Sequence, residues 1–200
     1  MIMKKILISG FDPFGGESIN PALEAIKQLP DTIDGVAVVK CEIPTVFGKS
    51  TNVLLAAVKK ERPDAVLCIG QAGGRPNITV ERVAINCDDA KTDDNEGNRP
   101  TDCKIAADGP AAYFSTLPVK AMVRDMLDTG IPAAVSNSAG TFVCNHLMYS
   151  VLHYAAQNRP DMKAGFVHIP YLPQQTADKP SMALECILKG LECMVRTIAK

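Results

Sequence analysis

The chain has 200 residues, 46% hydrophobic and 22% charged, with a formal net charge of −1. That size and balance suit one globular domain spanning residues 1–200 with a real core, and they exclude a disordered composition. The charge offers no basic field for nucleic acid, and no apolar run approaches the roughly 20 residues of a membrane span.

The first five residues carry Lys4 and Lys5, and the apolar run after them covers only residues 6–8. That reads as a first strand, 4–10, too short for a signal-peptide core. The chain is therefore expected in the cytoplasm. A helix follows over 21–29, with Leu23, Ile26 and Leu29 on one side, then a strand over Val36–Ile43. Residues 49–60 repeat Val53, Leu54, Ala57 and Val58 at helical spacing, and Pro63 stops them. Residues 65–70 (AVLCIG) form a near-continuous apolar strand, as expected for one buried on both faces. Residues 78–87 alternate and read as one strand or as half of a hairpin. The polar segment 88–102 is the one long loop, of a length often found in lids and binding segments. After it come a helix over 117–129 ended by Gly130 and Pro132, a strand at Ala133–Ser136, a helix over 143–157, a strand over 165–169 and a helix over 184–198. Alternating strands and helices predict an α/β fold with a largely parallel sheet and helices on both faces. Ligands of such sheets bind beyond the carboxyl ends of the strands. Segments 10–16, 70–74, 137–142 and 169–171 each follow a strand, so they are expected to converge on one edge.

Seven cysteines occur, with no CxxC pair, which suggests neither a disulfide framework nor a zinc ribbon. Cys41, Cys68, Cys87, Cys186 and Cys193 read as small apolar residues of strands and a helix; Cys103 lies in the polar loop. Cys144 differs. In SAGTFVCNHL it falls in the first turn of a helix after a strand. Free N–H groups and the positive dipole end favour an anion there, a setting that lowers a thiol pKa. Gly140 allows a tight approach of backbone donors that would stabilise an oxyanion. Simple packing of a small residue at a helix start explains the local sequence equally well.

A nucleophilic thiol needs a base, and there are three histidines. His146, two residues after Cys144, points to another side of the helix. His153 sits in mid-helix between Leu152 and Tyr154. His168, at the end of FVHIP, is the best placed. A third group must orient the imidazole. Glu81 interrupts the apolar alternation of ITVERVAIN, where a carboxylate is costly unless paired. Facing His168 it would be paired and would fix the ring's tautomer. The competing reading is a surface pair of Glu81 with Arg82. GFDPFGG resembles a phosphate loop in its glycines, but Gly16 and Glu17 stand where Lys and Ser/Thr belong, so that function fails. Phe11 and Phe14 instead offer an aromatic site, and QAGGR offers close backbone and the Gln71 amide. These suit a small, flat, neutral ligand.

Taken together, GFDPFGG (10–16), IPTVF (43–47), GQAGGR (70–75), ERVAIN (81–86), DNEGN (94–98), GPAAY (109–113), GIPAAVSNSAGTFVCNHLMY (130–149) and HIPYLPQQT (168–176) closely resemble the pyroglutamyl peptidase I family. The resemblance implies a three-layer α/β/α sandwich with a mostly parallel, mixed sheet. It implies a cysteine peptidase that cleaves after an N-terminal pyroglutamyl residue of peptides, with neither metal nor cofactor. It also implies a cytoplasmic homotetramer. Its triad falls on Glu81, Cys144 and His168. It further implies that Phe11 and Phe14 hold the lactam ring while Thr45, Gln71, Phe142 and Val143 line the pocket. One departure stands out: where the family commonly reads A-R-I-P-D-N, this chain has Ala90, Lys91, Thr92, Asp93, Asp94 and Asn95. Lys91 replaces a planar guanidinium with an ammonium in a loop that would close the pocket or support the oxyanion site. Two other readings fit the same residues: a cysteine amidase for another small N-acyl group, and a binding module without catalysis. A phosphorylase-type transferase is disfavoured by the absence of an Arg-rich phosphate site.

Overall fold

A computed structural model describes residues 4–200; the first three residues of the lysine-bearing start lie outside the described chain. The central sheet has seven strands: β1 (Lys5–Phe11), β2 (Thr32–Ile33), β3 (Val36–Ile43), β4 (Ala65–Gln71), β5 (Ile78–Glu81), β8 (Ala133–Ser136) and β9 (Lys163–Ile169). Their order is β2-β3-β1-β4-β9-β5-β8. β3, β1, β4 and β9 are mutually parallel. β5 runs antiparallel to β9, and β8 runs parallel to β5. Six consecutive residues of β1, Ile6 to Phe11, are buried, which is the pattern of a strand covered on both faces.

Five helices supply the cover: α1 (Pro21–Gln28), α2 (Lys49–Glu61), α3 (Val119–Asp128), α4 (Val143–Asn158) and α5 (Leu184–Ala199). One face of the sheet packs with α1, α3 and α5 through Leu23, Ile26, Met122, Met126, Leu191 and Met194. The other packs with α2 and α4 through Leu54, Val58, Leu147, Val151 and Leu152. This is the expected three-layer arrangement. α5 starts at Leu184, and its buried residues include Ile187, Leu191, Val195 and Ile198, the helical stripe read from the sequence. Among the described residues no helix is long and apolar enough to cross a membrane.

Three sequence expectations change. Residues 78–87 are not one strand: pairing to β9 and β8 ends at Glu81, and β6 (Val83–Ile85) leaves to form a separate ribbon with β7 (Ala112–Phe114). The short strands β2 and β7 carry too little pattern to be seen in advance. Because β8 runs opposite to β4 and β9, segment 137–142 does not leave the sheet at their carboxyl edge. It leads back to α4. The cysteines divide more finely than expected: Cys68 and Cys193 are buried, whereas Cys41, Cys87 and Cys186 are half-buried.

Candidate active site

α4 begins at Val143, with Phe142 as an extended N-cap whose side chain makes no capping hydrogen bond. The first-turn N–H groups are therefore left for a ligand, and Cys144 is the second helical residue. The chain reaches this point through Gly140, whose φ of +79° is the left-handed conformation that favours glycine. Thr141 fixes the approach: its hydroxyl donates to the Asp89 carbonyl at 2.7 Å, and the Asp89 N–H donates to the Thr141 carbonyl at 3.0 Å.

The Cys144 thiol lies over β4. A Cβ on Gly70 would stand 3.0 Å from its Sγ and 2.8 Å from the ring of Phe166. Gly70 is the direct partner of His168 on β9, and paired strands lie about 4.8 Å apart. A side chain at position 70 would occupy the space the thiol uses beside His168. Phe166 packs near the imidazole, with ring centroids 4.8 Å apart.

On the other side of β9, Thr79 opposes His168 and Glu81 opposes Phe166. Glu81 is thus a diagonal neighbour of His168 on the same face. Its Oε1 accepts from His168 Nδ1 at 2.7 Å, which leaves Nε2 as the basic nitrogen. Glu81 is fully buried. Burial opposes its charge, but the hydrogen bonds from His168 and Arg75 and the pull of the imidazole outweigh that and hold its carboxyl below the ordinary range. Its Oε2 accepts no hydrogen bond; the Ser136 hydroxyl on the neighbouring strand donates to the Ser138 carbonyl at 3.2 Å. Glu81 does not pair with Arg82. Its cationic partner is Arg75, whose Nη1 lies 2.7 Å from the same Oε1.

The expectation of a lowered thiol pKa is corrected. Cys144 keeps some exposure, yet desolvation by its close neighbours, with the Glu81 charge adding to it, pushes the thiol up to about 12. Burial also depresses His168, against the opposing pull of Glu81. Burial thus disfavours charge on both partners of the pair.

The residues expected around a ligand fall into two groups. Phe14 and Phe142 face each other at 6.4 Å between centroids, and Phe47 meets Phe142 edge-on at 5.3 Å. Phe11 and Val143 are instead core side chains, buried in the same cluster as Phe166. Thr45 is nearly buried; its N–H donates to Asp12 Oδ1 at 2.7 Å. Gln71 Oε1 accepts from Gln175 Nε2 at 2.9 Å. Lys91 is exposed and, with Thr92, lines an open groove of about 390 Å³ beside Gly140, Thr141 and Phe142. It belongs to the rim; the titratable and charged groups acting on the thiol are Glu81, Cys68 and Arg75.

Several residues of the site were not evident in the sequence. Asp94 accepts the N–H groups of Phe47, Glu96 and Asn98, tying the long loop to the aromatic wall. His146, set aside as a base, accepts the Gly48 N–H at Nε2 (3.1 Å) and therefore donates from Nδ1 to Asp88 Oδ2 at 2.7 Å. That buried pair braces the nucleophile helix against the two loops. His153, also set aside, stacks on Tyr149 and bonds the Tyr113 hydroxyl.

A sequence profile described as pyroglutamyl peptidase matches residues 4–200. The pyrrolidone-carboxylate peptidase of Alkaliphilus oremlandii is 63% identical over 190 residues, covering 94% of this chain and 89% of that protein. The one from Clostridium perfringens is 57% identical over 197 residues, covering 97% and 92%. Among solved structures, pyroglutamyl peptidase I from Bacillus amyloliquefaciens superposes with a TM-score of 0.95 at 49% identity, covering 98% of this chain and 97% of that one. Pyrrolidone carboxyl peptidase from Thermococcus litoralis gives 0.95 at 40%, covering 98% and 94%. This chain belongs to the pyroglutamyl peptidase family.

Proposed function

We propose that Cys144, His168 and Glu81 perform the hydrolysis by which this pyroglutamyl peptidase releases an N-terminal pyroglutamyl residue from peptides. Family membership supports the substrate class. The observation that carries the roles is the 2.7 Å Glu81–His168 hydrogen bond beside a thiol at an uncapped helix start.

In this reading Cys144 Sγ attacks the pyroglutamyl carbonyl carbon while His168 Nε2 takes the thiol proton. The imidazolium formed is held by Glu81. Negative charge gathering on the carbonyl oxygen is met by first-turn N–H groups of α4. The C–N bond then breaks, His168 returns its proton to the leaving amine, and a thioester remains. Water, deprotonated by His168, attacks the thioester; the C–S bond breaks, free pyroglutamate leaves and the thiol regains its proton. Burial that disfavours charge on both partners suits this cycle, because the charges appear together when substrate is in place.

Pyroglutamate is a lactam and offers no charged amine to a carboxylate. Aromatic walls from Phe14 and Phe142, with Phe11 and Val143 behind them and Thr45 and Gln71 at hand, fit that demand. Lys91 and Thr92 would border the entrance. We also infer that residues 4–200 act as one domain, since both hydrophobic clusters share one sheet. Homo-oligomerisation, a tetramer by the family resemblance, is supported by the exposure of Phe114, Leu127 and Ile85.

Acid quenching of a reaction with a pyroglutamyl ester, followed by peptide mapping, tests the roles. A pyroglutamyl adduct on the peptide carrying Cys144 is expected; an adduct elsewhere, or none during turnover, contradicts them.

A further inference from the structure

Arg75 lies in the glycine turn between β4 and β5, a segment whose sequence signal is its close backbone and the Gln71 amide. Its Nη1 lies 2.7 Å from Glu81 Oε1 and 2.7 Å from Thr79 Oγ1, and its Nη2 reaches the Ser138 carbonyl at 3.4 Å. Thr79 is the residue directly opposite His168. Ser138 belongs to the segment that delivers Cys144. One guanidinium thus joins the strand carrying Glu81 to the approach of the nucleophile.

The oxygen it contacts is the one that accepts from His168 Nδ1, also at 2.7 Å. Glu81 is fully buried and its other oxygen has no clear partner. A carboxylate so placed needs a counter-charge. While His168 is neutral, Arg75 is the full positive charge bonded to it. When His168 takes the thiol proton, the imidazolium and the guanidinium share Oε1, and each limits how strongly Glu81 can hold the other.

We propose that Arg75 is a positioning residue for the reaction: through Glu81 it fixes the aim of His168 and sets how readily that imidazole acts as a base. This rests on the triad reading given above. The charged and titratable groups around the pair are Glu81 on β5, Cys144 on α4, Cys68 on β4 and Arg75 itself. Glu81 draws a proton towards His168, whereas Arg75 repels one. Arg75 also favours the Cys144 thiolate, against Glu81 and Cys68. Removing the cation leaves Glu81 unopposed, so His168 should keep its proton to higher pH.

Alkylation of Cys144 by iodoacetamide, read by mass mapping of the peptide that carries it, reports this without any peptide substrate, so the outcome does not depend on pyroglutamyl recognition. The rate would be followed against pH for the wild type, Arg75→Met and Arg75→Lys. The acid limb is expected to move upward by about half a unit or more in Arg75→Met. It should return towards the wild-type position in Arg75→Lys, which keeps the charge without the planar fork. With a pyroglutamyl amide, the same variants should lose kcat rather than raise KM, because Arg75 acts through Glu81. An acid limb that stays in place, moves downward, or moves equally in Arg75→Lys would overturn the proposal. If Arg75→Met does not fold, Arg75→Gln, a neutral donor of similar reach, decides between the same outcomes.

Discussion

The Cys144 Sγ stands 3.0 Å from where a Cβ on Gly70 would lie, and Gly70 is the sheet neighbour of His168. A glycine at this position is what allows thiol and imidazole to meet over adjacent strands. Gly70→Ala would also press on the Phe166 ring at 2.8 Å. Overpacking of this kind costs about 1–3 kcal/mol. The variant should melt lower, and kcat should fall by more than the loss of folded protein explains. Unchanged kcat in folded Gly70→Ala would show that the thiol does not work from this place.

Stability should fall as the solution becomes acidic, in two parts. His168 is depressed below its ordinary 6.5 by burial. The unfolded chain therefore takes up this proton first, and stability present above about pH 6.5 declines as pH falls towards the folded value. Glu81 is also depressed, from an ordinary 4.5. Its contribution is present above that value and is lost as pH falls through the lower folded one. Thermal melts from pH 8 to pH 4 should show a decline beginning near 6.5, and His168→Gln should flatten its upper part. A melting temperature that rises on acidification would reverse the sign and exclude this account.

Glu81→Gln keeps the shape but not the charge. One amide oxygen cannot serve both His168 and Arg75 as the carboxylate does, and the imidazolium loses its counter-ion. A drop in kcat of about 10²- to 10⁴-fold is expected, with KM little changed. A variant that retains near wild-type kcat would remove Glu81 from the mechanism.

Lys91 and Thr92 border the groove beside Phe142, at the place where the family commonly has Arg and Ile. A guanidinium offers a planar fork and Ile an apolar face, both suited to closing over a flat lactam. Lys91→Arg combined with Thr92→Ile should raise kcat/KM for a pyroglutamyl amide by several-fold, about 1 kcal/mol. Equal or lower kcat/KM would show that the departure carries no cost at this site.

What could be read in advance follows from how local each signal is. The apolar run of residues 65–70 and the stripe of α5 announce themselves because burial acts on every residue of the element. Cys144, His168 and Glu81 are legible by residue type, since a buried carboxylate and a cysteine at a helix start both call for partners. The direction of β8 leaves no trace in its own four residues; only its pairing with β5 reveals it. Arg75, Gln175, Asp94 and the Asp88–His146 pair escaped notice for a related reason. Each has a commonplace local explanation, as a turn, a loop or a helix face, and acquires its role from a partner that the topology brings near. The helix start that would lower the thiol is visible in sequence, whereas the burial against Gly70 and Phe166 and the Glu81 charge that raise it come only with the fold.

Release of a fluorophore from a pyroglutamyl amide tests the central claim most directly, run beside the prolyl amide and beside Cys144→Ser. Cleavage confined to the pyroglutamyl compound and lost in Cys144→Ser is the predicted result. Equal cleavage of the prolyl compound, full activity in Cys144→Ser, or no cleavage by folded wild-type protein would contradict it.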